Sequence, residues 1–229
     1  MTVVVSGASR GIGRELINFF LEKKGTTVIA LSSHPGKFGA LSRKKNFQAL
    51  PADFSSDTGI YETGKAIRAI SKEVNILINN AGLLVNKPFA NITAQELEMV
   101  YRINVFAPFL LSQQLMPLMG KKQKAHIVNI SSMGGFQGSS KFAGLSAYSS
   151  SKGALSILTE CLAEELKDKN IASNCLCLGA VNTEMLKQAF PGYKAGTSAK
   201  EMAAFIGQFA LTGHHQFNGK VLPVSTSTP

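Results

Sequence analysis

The fold is decided by the stretch Val3-Val4-Val5-Ser6-Gly7-Ala8-Ser9-Arg10-Gly11-Ile12-Gly13, near the beginning of the chain. Its β-branched run indicates a buried strand over residues 2–6. Three glycines follow in a tight group, and a segment with helical spacing comes directly after them. Strand, glycine turn and helix in this order predict a site for a dinucleotide pyrophosphate at the helix N-terminus. The spacing is GxxxGxG rather than GxGxxG, so an ordinary strand-to-helix turn is the alternative.

Strands and helices alternate along the rest of the 229 residues. The predicted strands cover residues 2–6, 27–32, 47–51, 75–79, 125–131, 171–178 and 220–224. The predicted helices cover residues 12–24, 58–73, 93–119 with a break near the middle, 147–168 and 199–211. Two of them begin with capping boxes, Thr93-x-x-Glu96 and Ser198-x-x-Glu201. This alternation predicts an α/β fold, a parallel sheet with helices on both faces. No repeat or linker divides it, so we expect one domain over residues 1–229.

The composition excludes several classes of protein. Hydrophobic residues make up 45% of the chain, but no apolar run reaches the ~18 residues that a membrane span needs. The first strand has no charged segment before it and runs into the glycine turn, so we expect it to belong to the fold. The net charge of +10 comes from scattered residues, with small clusters at 43–45 and 121–124. We therefore expect neither a nucleic-acid site nor membrane binding.

The cysteines indicate a reducing, cytoplasmic location. Cys175 and Cys177 alternate on a predicted strand and should share one of its faces, while Cys161 falls in a helix. Packing of thiols is the expected role, because only His214 and His215 offer further metal ligands. We expect no metal site.

Tyr148 and Lys152 are one helical turn apart at the start of a long helical segment. Residues at i and i+4 lie on the same helix face. An ammonium group beside a phenol favours the phenolate, so we expect Lys152 to lower the pKa of Tyr148 and make it a proton carrier near neutral pH. A YxxxK pair also occurs by chance, so the assignment depends on the motifs that precede it.

Taken together, these segments resemble the short-chain dehydrogenase/reductase family over nearly the whole chain. The family's motifs occur here in order: Gly7-x-x-x-Gly11-x-Gly13, Asn79-Asn80-Ala81-Gly82, Asn104, Ser132, and Tyr148 with Lys152. The resemblance implies a single doubly wound Rossmann domain with a seven-stranded parallel sheet in the order 3-2-1-4-5-6-7. It also implies an NAD(P)-dependent oxidoreductase acting on carbonyl or alcohol groups.

The resemblance assigns catalytic roles to four residues. Tyr148 would give the proton in reduction, and Lys152 would tune it and bond the nicotinamide ribose. Ser132 would donate a hydrogen bond to the substrate oxygen, and Asn104 would hold a water on the proton path. As alternatives, Ser132 is a turn residue and Asn104 a cap at a helix break. The spacing from Ser132 to Tyr148 exceeds the family's usual one by three residues, which fall in the Gly/Ser-rich segment 137–144.

The cofactor is expected to be NADP(H), with NAD(H) possible. Ser32 stands where NAD-dependent relatives carry an acidic residue, and Arg10 stands where NADP-dependent relatives often carry a basic one. The basic residue expected just after the second strand is replaced here by Ser33. His34 or Lys37 would then supply the missing positive charge. The residues expected to contact the cofactor are Gly7, Ser9, Arg10, Gly11, Ile12, Gly13, Ser32, Asp53, Phe54, Asn80, Tyr148, Lys152, Val181 and Thr183.

The substrate is expected to be a small carbonyl or alcohol compound. The substrate loop, residues 185–198, is short compared with relatives, which indicates an open pocket, and Phe142, Phe190 and Tyr193 would line it. A 3-oxoacyl-thioester reductase is the alternative within the same chemistry, because a positive field would favour NADP or an acidic acyl carrier. A non-catalytic dinucleotide-binding sensor or scaffold is the alternative of another class.

The resemblance also implies a homodimer or homotetramer. The helical stretches 104–119 and 147–168 match those through which family members form four-helix interfaces. The positions expected on this surface are Phe106, Phe109, Leu110, Gln113, Leu155, Leu158 and Leu162.

Overall fold

The computed structural model describes residues 1–225; residues 226–229, the end of the predicted domain, lie outside the described part. The strands of the main sheet are β1 (Thr2–Ser6), β2 (Thr27–Ser32), β3 (Phe47–Pro51), β4 (Ile76–Asn79), β5 (Ala125–Ser132), β6 (Ile171–Leu178) and, as the seventh in sequence, β9 (Val221–Val224). Two short strands, β7 (Val181–Asn182) and β8 (Thr197–Ser198), pair with each other outside it. The main sheet is parallel throughout and has the order β3-β2-β1-β4-β5-β6-β9. The predicted fold and strand order are confirmed.

The helices are α1 (Gly11–Leu21), α2 (Asp57–Ile70), α3 (Ala94–Tyr101), α4 (Ala107–Leu115), α5 (Ser146–Glu165), α6 (Glu184–Ala189) and α7 (Ala199–Thr212). The predicted helices therefore form within a few residues of their expected bounds. The break expected inside 93–119 is a π-helical turn over Arg102–Phe106. Both capping boxes form as predicted. Helix α6, the pair β7–β8 and a 3₁₀ segment over Pro35–Arg43 were not predicted.

The core lies on both faces of the sheet, as the strand pattern requires. Val3 and Val5 on β1 pack in one cluster with residues of α1 and α7, and Val4 packs in the opposite cluster with residues of α2 and α4. Successive side chains of a strand point to opposite faces, so an all-apolar strand needs cover on both. Because the strands are parallel, their carboxyl ends lie at one edge of the sheet, and the helices packed on both faces stabilise this arrangement.

His126 on β5 is fully buried among polar partners. Its Nδ1 donates to the carbonyl of Ala210 at 3.0 Å, and its Nε2 accepts from Asn174 Nδ2 at 3.0 Å. Burial is the main cause that lowers the pKa of His126 to about 3. A proton on Nε2 would oppose the Asn174 donor, so the neutral ring is the form that fits.

The cysteines lie as predicted, with Cys175 and Cys177 buried beside Met133 and all three thiols free. Within residues 1–225 no group of three potential ligands is arranged to hold a metal ion. No helix in that range is long and apolar enough to cross a membrane.

The expected oligomer surface is only partly available. Phe106 and Phe109 are 42% and 46% exposed, and Gln113 is exposed as well. Leu155, however, is 1% exposed and belongs to the interior, so its assignment to the interface was wrong. Helix α5 packs on the sheet at this position, which the helical pattern alone did not show.

Candidate active site

A cleft of about 730 Å³ lies at the carboxyl ends of the parallel strands. This is where open α/β sheets bind their ligands. Every residue expected to contact cofactor or substrate lines it, whereas Asn104, which was expected to hold a water, does not. Phe142, Phe190 and Tyr193 line it too, as predicted. The topology therefore brings together residues that are up to 186 positions apart in the sequence, as Gly7 and Tyr193 are.

The glycine turn is packed so closely that side chains are excluded. Gly7 has a φ of +65°, and a Cβ there would lie 2.7 Å from the Cα of Ala81. A Cβ on Gly13 would lie 2.2 Å from the carbonyl oxygen of Gly7. Asn80 locks the turn, because its Nδ2 donates to the carbonyls of Ser6 and Gly7 at 3.0 and 3.2 Å.

The N-terminus of α1 fits an anion. Its N-cap residue, Arg10, makes no side-chain capping bond, and the first turn carries no acidic residue. Helices α2, α3, α6 and α7 are instead each capped by a serine or threonine side chain. Backbone N–H groups left free at a helix N-terminus favour phosphate. These residues fit a dinucleotide pyrophosphate.

The far end of the cleft fits an adenosine. Asp53, after β3, accepts hydrogen bonds from Ser55 N at 2.9 Å and Ser55 Oγ at 2.6 Å. These bonds keep the pKa of Asp53 below its usual value, so the carboxylate is charged. At the end of β2 the buried Ser32 accepts from the backbone N–H of His34 at 2.9 Å. No carboxylate stands at this position to repel a 2′-phosphate, and the exposed Arg10 lines the same cleft.

The residues expected to be catalytic meet where β5 and α5 adjoin. Lys152 is 3% exposed, and its Nζ donates to the carbonyl of Ile130 at 2.7 Å. The same Nζ is 5.9 Å from the centroid of the Tyr148 ring. Ser132 accepts from the N–H of Gly134 at 3.2 Å, so it is a turn residue; it also hydrogen-bonds the Tyr148 phenol. Ser132 is therefore both a turn residue and part of the cleft lining.

The expected shift of Tyr148 is wrong in this structure. Burial raises the pKa of Tyr148 to about 12, although the hydrogen bond from Ser132 opposes the rise. Burial also lowers the pKa of Lys152 to about 8. Removal of water disfavours the charged form of both groups and is the largest cause of each shift.

Asn104 lies in the π-helical turn and is fully buried. Its Nδ2 donates to the carbonyl of Leu83 and to Ser151 Oγ, both at 2.9 Å, and its Oδ1 accepts from Leu83 N at 2.8 Å. Both N–H donors are therefore in use. Asn104 fixes the segment after the Asn-Asn-Ala-Gly motif, next to Lys152, without lining the cleft.

The segment of three extra residues forms its own ordered loop. Ser139 Oγ donates to the carbonyl of Phe136 at 2.9 Å and also to that of Met133. Lys141 Nζ donates to the carbonyls of Phe136 and Ser139 at 2.8 and 2.9 Å. Ser139 is thereby committed to the loop, whereas Ser132 lines the cleft.

The substrate loop contains helix α6 and is tied at two points. At its base, β7 pairs with β8, and Asn182 Nδ2 donates to the carbonyl of Ala195 at 2.8 Å. Further out, Asn86 Nδ2 donates to the carbonyl of Ala189 at 2.7 Å. The open pocket expected from a short loop is thus edged by a fixed segment.

Sequence reasoning missed two residues that build the site. Ser6 Oγ accepts from the backbone N–H groups of Asn80 and Ala81, both at 3.0 Å, and so joins the two motifs. Asn86 had no signal, because its partner is 103 residues away. The position of Ser6 directly before the glycine turn was the available clue.

The basic clusters do not face the cleft. Residues 43–45 precede β3, and residues 121–124 precede β5. Loops before parallel strands lie at the amino ends, across the sheet from the cleft. These clusters therefore supply no docking surface at the mouth of the site.

Comparisons with known proteins agree with this geometry. The short chain dehydrogenase family matches residues 1–194. An uncharacterised oxidoreductase of Bacillus subtilis is 31% identical over 189 residues, covering 80% of this chain and 72% of the relative. The rhamnolipid-biosynthesis 3-oxoacyl-[acyl-carrier-protein] reductase of Pseudomonas aeruginosa is 29% identical over 240 residues, 96% of this chain and 93% of that protein. The structure of the Pseudomonas aeruginosa RhlG/NADP active-site complex has a TM-score of 0.85 at 28% identity, covering 99% and 95% of the two chains.

The chain belongs to the short-chain dehydrogenase family. It is an NAD(P)-dependent oxidoreductase of that family, acting on carbonyl or alcohol groups.

Proposed function

We propose that this protein is an NADP-dependent carbonyl reductase or alcohol dehydrogenase in which Tyr148 is the general acid and base. The observation that carries the proposal is a single cleft with an uncapped helix N-terminus at one side and Ser132, Tyr148 and Lys152 at the other. Three groups able to hold an oxygen and move a proton thus face a site for a hydride-carrying dinucleotide.

The residues divide the work of reduction. With a pKa of about 12, Tyr148 keeps its proton until the substrate oxygen develops negative charge, and then donates it. Ser132 holds that oxygen by a hydrogen bond. Lys152, anchored through Ile130, brings its charge beneath the phenol. Asn104 holds the backbone beside Lys152 in place.

When bound, the nicotinamide of the dinucleotide would supply a hydride to the carbonyl carbon of the substrate or accept one from the alcohol carbon. Residues of the glycine turn would hold the pyrophosphate of the dinucleotide, and Asp53 would hold its adenine. The preference for NADP is supported by the neutral Ser32 and by the exposed guanidinium of Arg10. It is also supported by the NADP in the Pseudomonas aeruginosa structure.

The second candidate is reduction of a 3-oxoacyl thioester. The relative that matches 96% of this chain is a 3-oxoacyl-[acyl-carrier-protein] reductase, and the aromatic residues of the cleft suit an acyl chain. A sensor or scaffold without turnover is the contrasting class, and the retained Ser132, Tyr148 and Lys152 weigh against it.

The deciding experiment follows NADPH oxidation with a panel of aldehydes, ketones, diketones and acyl thioesters. The wild type should turn over at least one compound, and Tyr148→Phe should lower that turnover by at least ~100-fold while NADPH affinity is kept. Lys152→Ala should lose both turnover and affinity. Near-normal turnover in either variant, or no turnover with any compound, would refute the proposal.

A matched pair of serine variants tests the oxygen-binding role. Ser132→Ala should lose about 2–4 kcal/mol of transition-state stabilisation. Ser139→Ala removes an equal hydroxyl from the loop and should leave turnover almost unchanged. A dispensable Ser132 with an essential Ser139 would show that the loop shifts the catalytic register.

We further propose that residues 1–229 act as one domain, that residues 185–198 are its substrate loop, and that it works in the cytoplasm. Its state is proposed to be a homodimer or homotetramer through α4 and α5. The half-exposed Phe106 and Phe109 support this assembly, because apolar rings grouped on one face favour burial.

A further inference from the structure

The substrate end of the cleft carries no charged side chain. We define it as the lining residues of two segments, 142–145 and 185–193: Phe142, Leu145, Met185, Leu186, Phe190 and Tyr193. The charged residues that line the whole cleft are Arg10, Asp53, Lys152 and Glu184. Arg10 and Asp53 belong to the cofactor half, and Lys152 to the catalytic group. Glu184 lies against the glycine turn, with Oε2 3.6 Å from the position of a Cβ on Gly11.

The cations nearest this end in sequence do not line it. Lys141 Nζ is bound within its own loop, to the carbonyls of Phe136 and Ser139. Lys87 Nζ is bound to both carboxylate oxygens of Glu96, at 3.0 and 3.1 Å. Lys187 and Lys194 of the substrate loop are exposed but do not line the cleft. The lining of this end therefore offers no cation to an anionic group on the substrate.

The two segments are held in place by a third. The backbone N–H of Lys87 donates to the carbonyl of Gly144 at 2.9 Å, and Asn86 bonds Ala189 at the end of α6. Gly144 has a φ of +86°, and a Cβ there would lie 2.1 Å from Asn86 Oδ1. The residues that line this end are therefore carried on linked backbone.

Two of these aromatic rings are uncovered. Phe142 is 40% exposed and Tyr193 is 55% exposed. Apolar surface inside a cleft gains free energy when a ligand covers it, by an amount that grows with the apolar area. A neutral apolar group would cover these rings without desolvating any charge.

We infer that the substrate is a carbonyl compound with an uncharged apolar arm, which packs against Phe142, Phe190 and Tyr193. Phe142 is then a residue that determines specificity, supplied by the loop with three extra residues. This inference rests on the proposed function, because it places the reacting carbonyl at Ser132 and Tyr148.

The test is a series of straight-chain methyl ketones of increasing length, reduced with NADPH by the full chain. A buried methylene contributes about 0.8 kcal/mol, so kcat/KM should rise by roughly threefold to fourfold per added carbon until the arm fills the cleft. Ketones of the same length that end in a carboxylate should be poorer substrates. A flat series, or a preference for the carboxylates, would overturn the inference.

Variants assign the effect to the ring. Phe142→Ala should flatten the dependence on chain length, while Phe142→Leu should keep most of it. Phe89→Ala is the matched control, since Phe89 is 82% exposed and does not line the cleft. Equal effects of Phe142→Ala and Phe89→Ala would refute the role of Phe142. Thermal unfolding of each variant separates loss of fold from loss of contact.

Binding separates this inference from the proposed function. Calorimetry with the same ketones and the NADP⁺ complex measures affinity without reduction. Affinity that grows with chain length, in a protein that oxidises NADPH neither with these ketones nor with any compound of the wider panel, would refute the proposed function and keep the inference. Turnover without dependence on chain length would refute the inference and keep the proposed function.

Discussion

Gly135→Ala should disable the site by pushing apart the two elements that form it. Gly135 ends the short turn after Ser132, and α5 passes directly over it. A Cβ at this position would lie 2.6 Å from the backbone N of Gly153 and from the carbonyl carbon of Lys152. Ordinary contacts begin at 3.4 Å, so the backbone of α5 or the turn must move by roughly 0.8 Å. Neither neighbour is the end of a flexible side chain, so the strain has no easy release.

The expected magnitudes follow from that displacement. Overpacking of this kind typically costs about 1–3 kcal/mol of unfolding free energy. Because Lys152 forms the contact and Ser132 begins the turn that Gly135 ends, a shift of this size should also lower kcat/KM by about 100-fold. Urea unfolding measures the first quantity and NADPH oxidation the second.

A control isolates the steric effect. Gly36→Ala adds the same methyl group where no atom lies within 4 Å and φ is not positive, and it should change neither quantity. Wild-type stability and turnover in Gly135→Ala would show that the turn and α5 are not rigidly packed, and the reasoning would fail.

Four further outcomes are expected. Arg10→Ala should weaken NADPH binding by about 1–3 kcal/mol and leave NADH almost unchanged in fluorescence titrations; equal losses would contradict the NADP preference. The pKa of Lys152 is lowered to about 8, so the rate of reduction should decline above about pH 8 as the ammonium loses its charge; a flat alkaline limb would contradict its role. His126 has a native pKa of about 3, below the usual 6.5, so the unfolded state binds the proton first. Its stabilising contribution is complete above pH 6.5 and should fall by about 1.4 kcal/mol per pH unit below that, down to about pH 3. A His126→Asn variant should lose this slope in urea unfolding. Light scattering at micromolar concentration should show a dimer or tetramer, and Phe106→Glu with Phe109→Glu should shift it to monomer; a monomeric wild type would contradict the proposed assembly.

The parts of the fold that depend on local pattern were predictable from the sequence. The strands have apolar runs bounded by turn residues, and their order came from a family resemblance carried by the motif residues. The glycine turn shows why such motifs are reliable, since side chains at Gly7 and Gly13 would collide with backbone atoms. Glycines at these positions therefore indicate that the tight turn itself is present.

The parts that depend on distant partners were not predictable. Helix α6 has only six residues and is held by Asn86, Asn182 and the pairing of β7 with β8. Such a short helix is unstable alone, so its sequence carries little helical signal. The burial of Leu155 follows from how α5 lies on the sheet, which the spacing of its apolar residues does not fix.

The pair of Tyr148 and Lys152 shows how spacing can give the right residues and the wrong pKa. The i to i+4 spacing places a charge near a phenol, and charge alone lowers the phenol pKa. In the fold, however, burial raises the pKa of the Tyr148 phenol to about 12 and lowers the pKa of the Lys152 ammonium to about 8. This order suits the proposed reduction. Once Tyr148 has given its proton to the substrate oxygen, the phenolate is a stronger base than the Lys152 amine. In the proposed reduction, return of a proton from the side of Lys152 would therefore be downhill, and solvent would then restore the ammonium. The burial that overturned the expected shift would thus give the proposed proton path its direction.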